Sequence, residues 1–272
     1  MMEYFLKVLR AEMRKQHKNR FFGKSIYVSL FLWPLLTFIT AYYSYKPFPL
    51  DKIVRGLDYI NESNLIIFVL MGYMCLIFFR CFVQSAWLFS SERTYGTLEL
   101  IYMTPANRLA FIMGNAVASL FESIWLFVVF AAGIFILNAS SFKINIGCAI
   151  LGIILLLTLS ILWGMLLNAL FLFSRDSAFL FTVLEEPMEI FAGIKVPAVI
   201  FPLWAKVISA VFPLTYIAEM LRRIFIKGDG LLQIRGFVLI SILTGLVMLT
   251  VTIICLRLGE EYARKTGNMA LF

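Results

Sequence analysis

The sequence predicts an all-α membrane protein. The expected architecture is six transmembrane helices, an N-terminal amphipathic interfacial helix, a short cytoplasmic helix, and an outer re-entrant helical hairpin between spans 5 and 6. Three observations predict it. Of the 272 residues, 61% are hydrophobic and 15% charged, where a soluble domain carries roughly 45–50% apolar and about 25% charged residues. Mean hydropathy is +0.90, and the apolar residues gather into runs of about 20, the length that crosses a bilayer as a helix. The net charge of +8 sits at the ends of those runs, as membrane orientation requires. That placement argues against a nucleic-acid-binding face.

Residues 1–24 read as the interfacial helix. Phe5, Leu9 and Met13 repeat every four positions, while Lys7, Arg14 and Lys18 line another face. Such a helix lies on anionic lipid. Span 1 covers 25–45 and has no cleavage site of a signal peptide. Lys7, Arg10, Arg14, Lys15, Lys18, Arg20 and Lys24 precede it, against Lys46, Lys52 and Arg55 after it. The N-terminus is therefore expected in the cytoplasm. Span 2 covers 65–89, span 3 109–137 and span 4 146–173. Span 5, at 178–194, is short and is interrupted by Glu185, Glu186 and Pro187. Residues 195–230 are apolar but broken by Pro197, Pro202, Lys206 and Pro213. Broken backbone at membrane depth survives only when buried in protein, so this region reads as re-entrant. Span 6 covers 234–256, and 257–272 form a cytoplasmic tail. Lys195, Lys206, Arg222, Arg223, Lys227 and Arg235 then lie near the outside, against the usual charge bias, which alone favours 197–221 as a true span with the C-terminus outside.

The longest polar interruption is SSERTYGTLELIYMTPANR, residues 90–108. It predicts a short helix over 94–104. Thr97 is the expected N-cap, with Glu99 in the first turn. Leu98, Ile101 and Tyr102 share a face at i, i+3, i+4. Thr104 and Pro105 are expected to cap and begin the next helix. A chain that only turned round would need fewer residues, and a shaped surface suggests a partner.

Charges inside the spans are costly and need partners. Arg80 and Glu122 sit about 20 residues either side of the cytoplasmic stretch, so their depths match on an antiparallel pair at ~1.5 Å per residue. An Arg80–Glu122 ion pair, or a close charge network holding both, follows as an expectation; the alternative is that Arg80 snorkels to the inner interface and Glu122 pairs elsewhere. Glu185, Glu186 and Glu189 form an acidic, kinked patch. It either pairs with Arg222, Arg223 or Lys195, or lines a cavity for a cationic substrate. Pairing is the commoner fate of an intramembrane acid.

Catalytic motifs are absent. Gly23-Lys24-Ser25 ends like a phosphate-binding loop, but Lys18 stands where the first glycine belongs, so no cradle forms. There is no H-E-x-x-H and no G-x-S-x-G. Cys75, Cys81, Cys148 and Cys255 lie in apolar runs without metal-ligand spacing, and His17 is the one histidine. No metal, cofactor or catalytic residue is expected in this chain.

Glu92, Arg93, Gly96, Thr97, Leu98 and Glu99, followed by Thr104, Pro105 and Arg108, resemble the cytoplasmic segment of type-2 ABC exporter permeases. A second stretch resembles that family's outer motif: Gly193, Pro197, Pro202, then Pro213-Leu214-Thr215-Tyr216, Arg222 or Arg223, and Gly228. Order and spacing agree over nearly the whole chain, closest to the drug-resistance and nodulation-factor exporters. Ala192 departs from the small hydroxyl residue common before the outer glycine. The resemblance implies that 94–104 is a coupling helix, with Glu92, Arg93, Gly96, Thr97, Leu98, Glu99, Ile101, Tyr102, Thr104 and Pro105 as its coupling residues. It also implies two cytoplasmic ATPase subunits that carry ATP and Mg, and a second permease copy or paralogue. The setting is a bacterial plasma membrane with both termini inside. The competing reading is an ATP-independent transporter or scaffold. A secondary transporter should show matching breaks in both halves, and only the C-terminal half is clearly broken. An intramembrane enzyme is weaker still, for want of catalytic motifs.

Overall fold

The computed structural model describes residues 2–21, 23–45, 62–138, 145–173, 177–195 and 197–266, and every regular element among them is helical. Helix α1 spans Met2–Arg20 and α2 Lys24–Tyr45, meeting at a 90° bend. Helix α3 runs over Glu62–Thr94 and α4 over Thr97–Met103. The expected third span is two helices, α5 (Arg108–Ala118) and α6 (Leu120–Asn138), and α7 covers Ile146–Phe173. Helix α8 covers Ser177–Phe191. After a 3-10 turn at Ala198–Ile200 come α9 (Leu203–Ser209) and α10 (Pro213–Arg222), then a π turn at Arg223–Lys227. Helix α11, Leu231–Thr266, closes the described chain.

By length and apolarity, 4 helical segments among the described residues can cross a membrane: Ile66–Trp87, Arg108–Ile136, Ile146–Leu170 and Leu231–Gly259. The number rises to 6 if each of two bent pairs counts as one span: α1 with α2, and α9 with α10 through Lys227, the latter bent by 94°. The expected fifth span is the 15-residue α8. At ~1.5 Å per residue it reaches about 22 Å, short of a hydrocarbon core of about 30 Å. Pro187 lies inside it and removes a backbone donor. The outer loop at 46–60, the turn at 139–144 and residues 174–176 lie outside the described residues.

Helix α3 is the axis of the molecule. Its span is 83% buried, against 22% for that of α11. Phe68, Phe79 and Phe82 are fully enclosed there. With 33 residues it reaches about 50 Å, well beyond a membrane core. The sequence explains the length, because no proline interrupts it and Gly96 is the first glycine after Gly72. The opening part of the polar stretch is therefore an extension of span 2 and not a loop.

The break between α5 and α6 falls at Ser119. Its Oγ reaches the Asn115 carbonyl at 3.3 Å, and Ser123 Oγ donates back to the Ser119 carbonyl at 2.9 Å. Hydroxyls bonded to the preceding turn bend helices. Across α5, Ala110, Gly114 and Ala118 recur every four residues and are buried. This flat stripe takes α1: a Cβ on Gly114 would come within 2.8 Å of Glu12 Cβ and 3.0 Å of the Leu9 carbonyl oxygen. Small residues at that spacing let helix backbones approach closely.

Candidate functional site

The inner tip of α3 carries α4. Gly96 stands between them with φ 70°, a conformation that costs a side-chain-bearing residue roughly 1 kcal/mol or more. Gly96, and not Thr97, is the N-cap of α4, and the helix is 97–103 where 94–104 was expected. Thr97 is its first residue. Its hydroxyl donates to the Glu92 carbonyl at 2.9 Å and to Glu92 Oε2 at 2.5 Å. At the other end Thr104 is extended, with ψ 152°, because the residue before a proline is driven out of the helical region. Thr104 thus ends α4, and Pro105 does not begin α5. Asn107 caps α5, its side chain accepting from the Ala110 amide at 3.1 Å. Arg108 Nη1 lies 3.1 Å from the Ile101 carbonyl, 3.3 Å from that of Thr104 and 3.1 Å from that of Ala106, closing the frayed end of α4.

Glu92 is the hub of this tip. Lys15 Nζ of α1 lies 2.8 Å from Glu92 Oε1 and 3.0 Å from Glu12 Oε2. Gln16 Nε2 donates to Glu12 Oε1 at 2.8 Å and reaches Glu92 Oε1 at 3.5 Å. Two carboxylates therefore share one ammonium and one amide. Burial pushes the Glu12 carboxyl above its ordinary range, and Lys15 opposes that. The face of α1 bearing Glu12 and Gln16 is buried against protein, so protein covers one side of the helix expected to lie on lipid. Lys7, Arg14 and Lys18 are exposed as expected.

With Glu92 and Thr97 turned inward, the outer surface of the tip belongs to residues the sequence did not single out. Tyr95 is 78% exposed, Leu100 65% and Met103 84%. Ile101 packs against the core. The side chains of Arg93, Leu98, Glu99 and Tyr102 lie outside the described residues. The Leu98–Ile101–Tyr102 face of the sequence reading is thus the inner one at Ile101.

Arg20, at the end of α1, enters a buried polar network. Its Nη2 lies 2.5 Å from Ser85 Oγ and 3.4 Å from Asn115 Oδ1, and its Nη1 3.3 Å from Ser119 Oγ. Asn115 donates to Asn168 Oδ1 at 2.8 Å, joining α5 to α7. Burial pushes the Arg20 guanidinium below its ordinary value, and the Glu122 carboxylate opposes the shift. Arg80 and Glu122 line one cavity. Among the described residues no hydrogen bond or ion pair reaches the Glu122 carboxylate, and Arg20 is the cation acting on it. Counting residues matched their depth but left their azimuth open.

At the other end of α3 the second motif assembles. Arg222 is 1% exposed. Its Nε donates to the Phe68 carbonyl at 3.0 Å, Nη1 to Gly193 at 2.8 Å and Nη2 to Ile194 at 2.9 Å. The guanidinium carbon lies 3.5 Å from the Phe68 ring centroid. Gly72 makes room for it, since a Cβ there would overlap Arg222 Nη2. Pro213 opens α10. Thr215 Oγ1 donates to the Ser209 carbonyl at 2.8 Å and Tyr216 Oη to that of Ala210 at 3.1 Å, stapling α10 to the end of α9. Pro197 is buried before the 3-10 turn, and Pro202 precedes α9. Of the acidic patch, Glu189 pairs with Lys195 at 2.7 Å. Glu186 is exposed, and the Glu185 side chain lies outside the described residues. Arg222 binds these carbonyls, while Arg223 pairs with Glu219 at 3.2 Å.

Both motifs therefore meet one helix, the first at its inner tip through Glu92 and the second through Arg222 on Phe68. Phe68 and Glu92 of α3 are separated by about 36 Å at ~1.5 Å per residue. A family model described as ABC-2 family transporter protein matches residues 4–256. The chain belongs to this family. No curated protein matches it. As an ABC-2 permease it is a multi-pass membrane component of an ABC transporter, a component generally not catalytic itself. The sequence lacked two signals the geometry supplies: Gly72, the seat of Arg222, and Glu12, Lys15 and Gln16, the link from α1 to Glu92. The Ala110–Gly114–Ala118 stripe was legible and marks where α1 docks.

Proposed function

We propose that this permease works in an ATP-driven exporter. Two cytoplasmic ATPase subunits, loaded with ATP and Mg, act on two permease subunits, this chain and a second copy or paralogue. The setting is a bacterial plasma membrane with both termini inside. One observation carries the reading. The tip of α3 and the short helix after it present exposed apolar side chains, Tyr95, Leu100 and Met103, while Glu92 at the tip ties Thr97 of that helix and Lys15 of α1 together. Apolar residues on a water-facing tip suit a protein partner.

A push on α4 has two rigid outlets. Through Glu92 and Lys15 it moves α1, and along α3 it reaches Phe68 and the Arg222 clamp. ATPase closure then rocks the helices as packed bodies, and the re-entrant α9–α10 pair responds at the far end. Leu100→Glu combined with Met103→Glu tests this. The ATPase subunit should be lost on co-purification in mild detergent, with the permease's thermal midpoint unchanged. Retention of a stoichiometric, active ATPase by that variant would remove the tip from the coupling path. Transport by the chain alone, without ATP, would favour the ATP-independent reading.

A further inference from the structure

Helix α1 carries a charged face that neither motif uses. At about 3.6 residues per turn, Lys7, Arg10, Arg14 and Lys18 fall within about 80° of one another around its axis. All four are exposed. Lys7 pairs with Glu3 at 2.7 Å, in the open. Among the described residues, Arg10, Arg14 and Lys18 have no ion-pair or hydrogen-bond partner. Glu12 and Gln16 lie roughly 180° from this stripe. They are buried, on the side where Leu9 and Glu12 meet Gly114 of α5. Protein therefore occupies the packed side of α1, and the basic side points away from it.

The two edges of the helix fix where that basic side lies. On one edge, Lys15 reaches Glu92 at the inner tip of α3, beyond the span that ends at Trp87. On the other, His17 packs edge-on to Phe121 of α6, the ring centroids 5.1 Å apart, and Leu6 is exposed. Phe121 stands within the Arg108–Ile136 span, about 20 Å from its α4 end by helical rise. One edge thus faces water and the α4 tip, and the other faces the bilayer. The stripe lies between them, at headgroup level, where a layer of anions attracts Lys and Arg. An inserted apolar face would hold any lipid, but a solvated basic stripe selects by charge.

We propose that Lys7, Arg10, Arg14 and Lys18 form a docking surface for phospholipids with a net negative headgroup, bound by charge and not by insertion of the apolar side of α1. A zwitterionic headgroup carries its own ammonium, which cancels the attraction. The surface needs only the permease and a bilayer, so it stands apart from the ATPase reading.

The full-length chain, purified in mild detergent, is equilibrated with mixed micelles of dioleoyl phosphatidylglycerol and phosphatidylcholine in equal amounts. Lipid retained after washing is extracted and quantified by mass spectrometry. The anionic lipid should be retained by about tenfold or more over the zwitterionic one, since each cation near an anionic surface contributes about fivefold. The preference should collapse between about 0.1 M and about 1 M salt, as the screening length falls from about 10 Å to about 3 Å. The triple variant Arg10→Gln, Arg14→Gln, Lys18→Gln should lose it, with the thermal midpoint in phosphatidylcholine unchanged, because the packed side is untouched. Arg10→Lys with Arg14→Lys should keep it. Equal retention of both lipids by the unsubstituted chain overturns the proposal. So does a preference that survives the triple substitution or the high salt, and the salt series decides alone if the triple variant does not fold. Competition at equal strength by chain-free glycerophosphoglycerol would mark a site for a soluble anion and overturn the lipid assignment. Loss of a co-purifying ATPase in the triple variant, with no lipid preference in the parent, would give the stripe to a protein and overturn it too.

Discussion

Arg222 shows how a single side chain can define a motif. Three of its hydrogen bonds go to backbone carbonyls of two separate segments, Phe68 on α3 and Gly193–Ile194 after α8. A planar guanidinium suits this because its donors are fixed in a fork, which an ammonium lacks. Arg222→Met leaves the buried Gly193 and Ile194 carbonyls without this donor, while Phe68 keeps its place in the α3 ladder. Each costs about 1–3 kcal/mol, so the expected loss is on the order of 2 kcal/mol or more in thermal unfolding in detergent. Gly72→Ala should destabilise by pushing the same guanidinium aside. A Gly72→Ala protein as stable as the parent would mean that Arg222 does not seat there. Glu12 offers a test of opposite sign. Its carboxyl is raised by burial, so the folded chain holds that proton more tightly than the unfolded chain. The group's contribution then becomes more favourable as pH falls through the folded value, and levels off below the unfolded one. Glu12→Gln should equal or exceed the parent's thermal midpoint at pH 7, and the difference should vanish on acidification. A midpoint that drops at pH 7 would show that the charged form is the stabilising one.

Elements in this protein are joined end to face. Helix α4 is too short to be stable alone, and its place is set by Gly96, by the Thr97–Glu92 bond and by the Arg108 cap. Helix α1 is held along its length by the α5 stripe, by Lys15 on Glu92 and by Arg20 among Ser85, Asn115 and Ser119. If α1 and α4 move as one body, Lys15 and Glu92 are energetically coupled. A double-mutant cycle of Lys15→Met and Glu92→Gln, read by thermal unfolding, should give a coupling of about 1 kcal/mol. The same substitutions should lower the transport obtained per ATP more than they lower ATP hydrolysis. Additive effects in the cycle would mean that α1 merely rests beside the tip. Much of this was legible beforehand. The short cytoplasmic helix follows from its composition and its flanking Gly96 and Pro105. Its caps were misplaced by one to three residues because Thr97 and Thr104 have the chemistry of caps, while backbone conformation at Gly96 and ahead of Pro105 decided the boundaries.

At the scale of the whole molecule, α3 connects the inner tip to the Arg222 clamp; α6, α7, α8 and α10 pack on it, while α1 packs on α5 and α11 on α7 and α10. In the six-span reading, α9 and α10 enter the membrane from outside, bent at 94°, with Lys206 exposed on α9. Lys206→Cys should react with a membrane-impermeant maleimide added outside intact cells, and Lys18→Cys only after lysis. Reaction at Lys206→Cys only after lysis would overturn the orientation of the hairpin. The sequence by itself determined the solvent and the secondary structure. An excess of apolar residues in long runs leaves helices as the way to satisfy the backbone in lipid, and prolines mark where those helices break. Its motifs also pointed to the family. Only the tertiary structure decided which residues face inward. Helical spacing places a residue at a depth and on a stripe, but the neighbour opposite that stripe comes from another part of the chain. That is why Glu92 proved a hub between α1 and α4, why the cation acting on Glu122 comes from α1, and why the stretch read as a separate short helix begins as the end of the central helix.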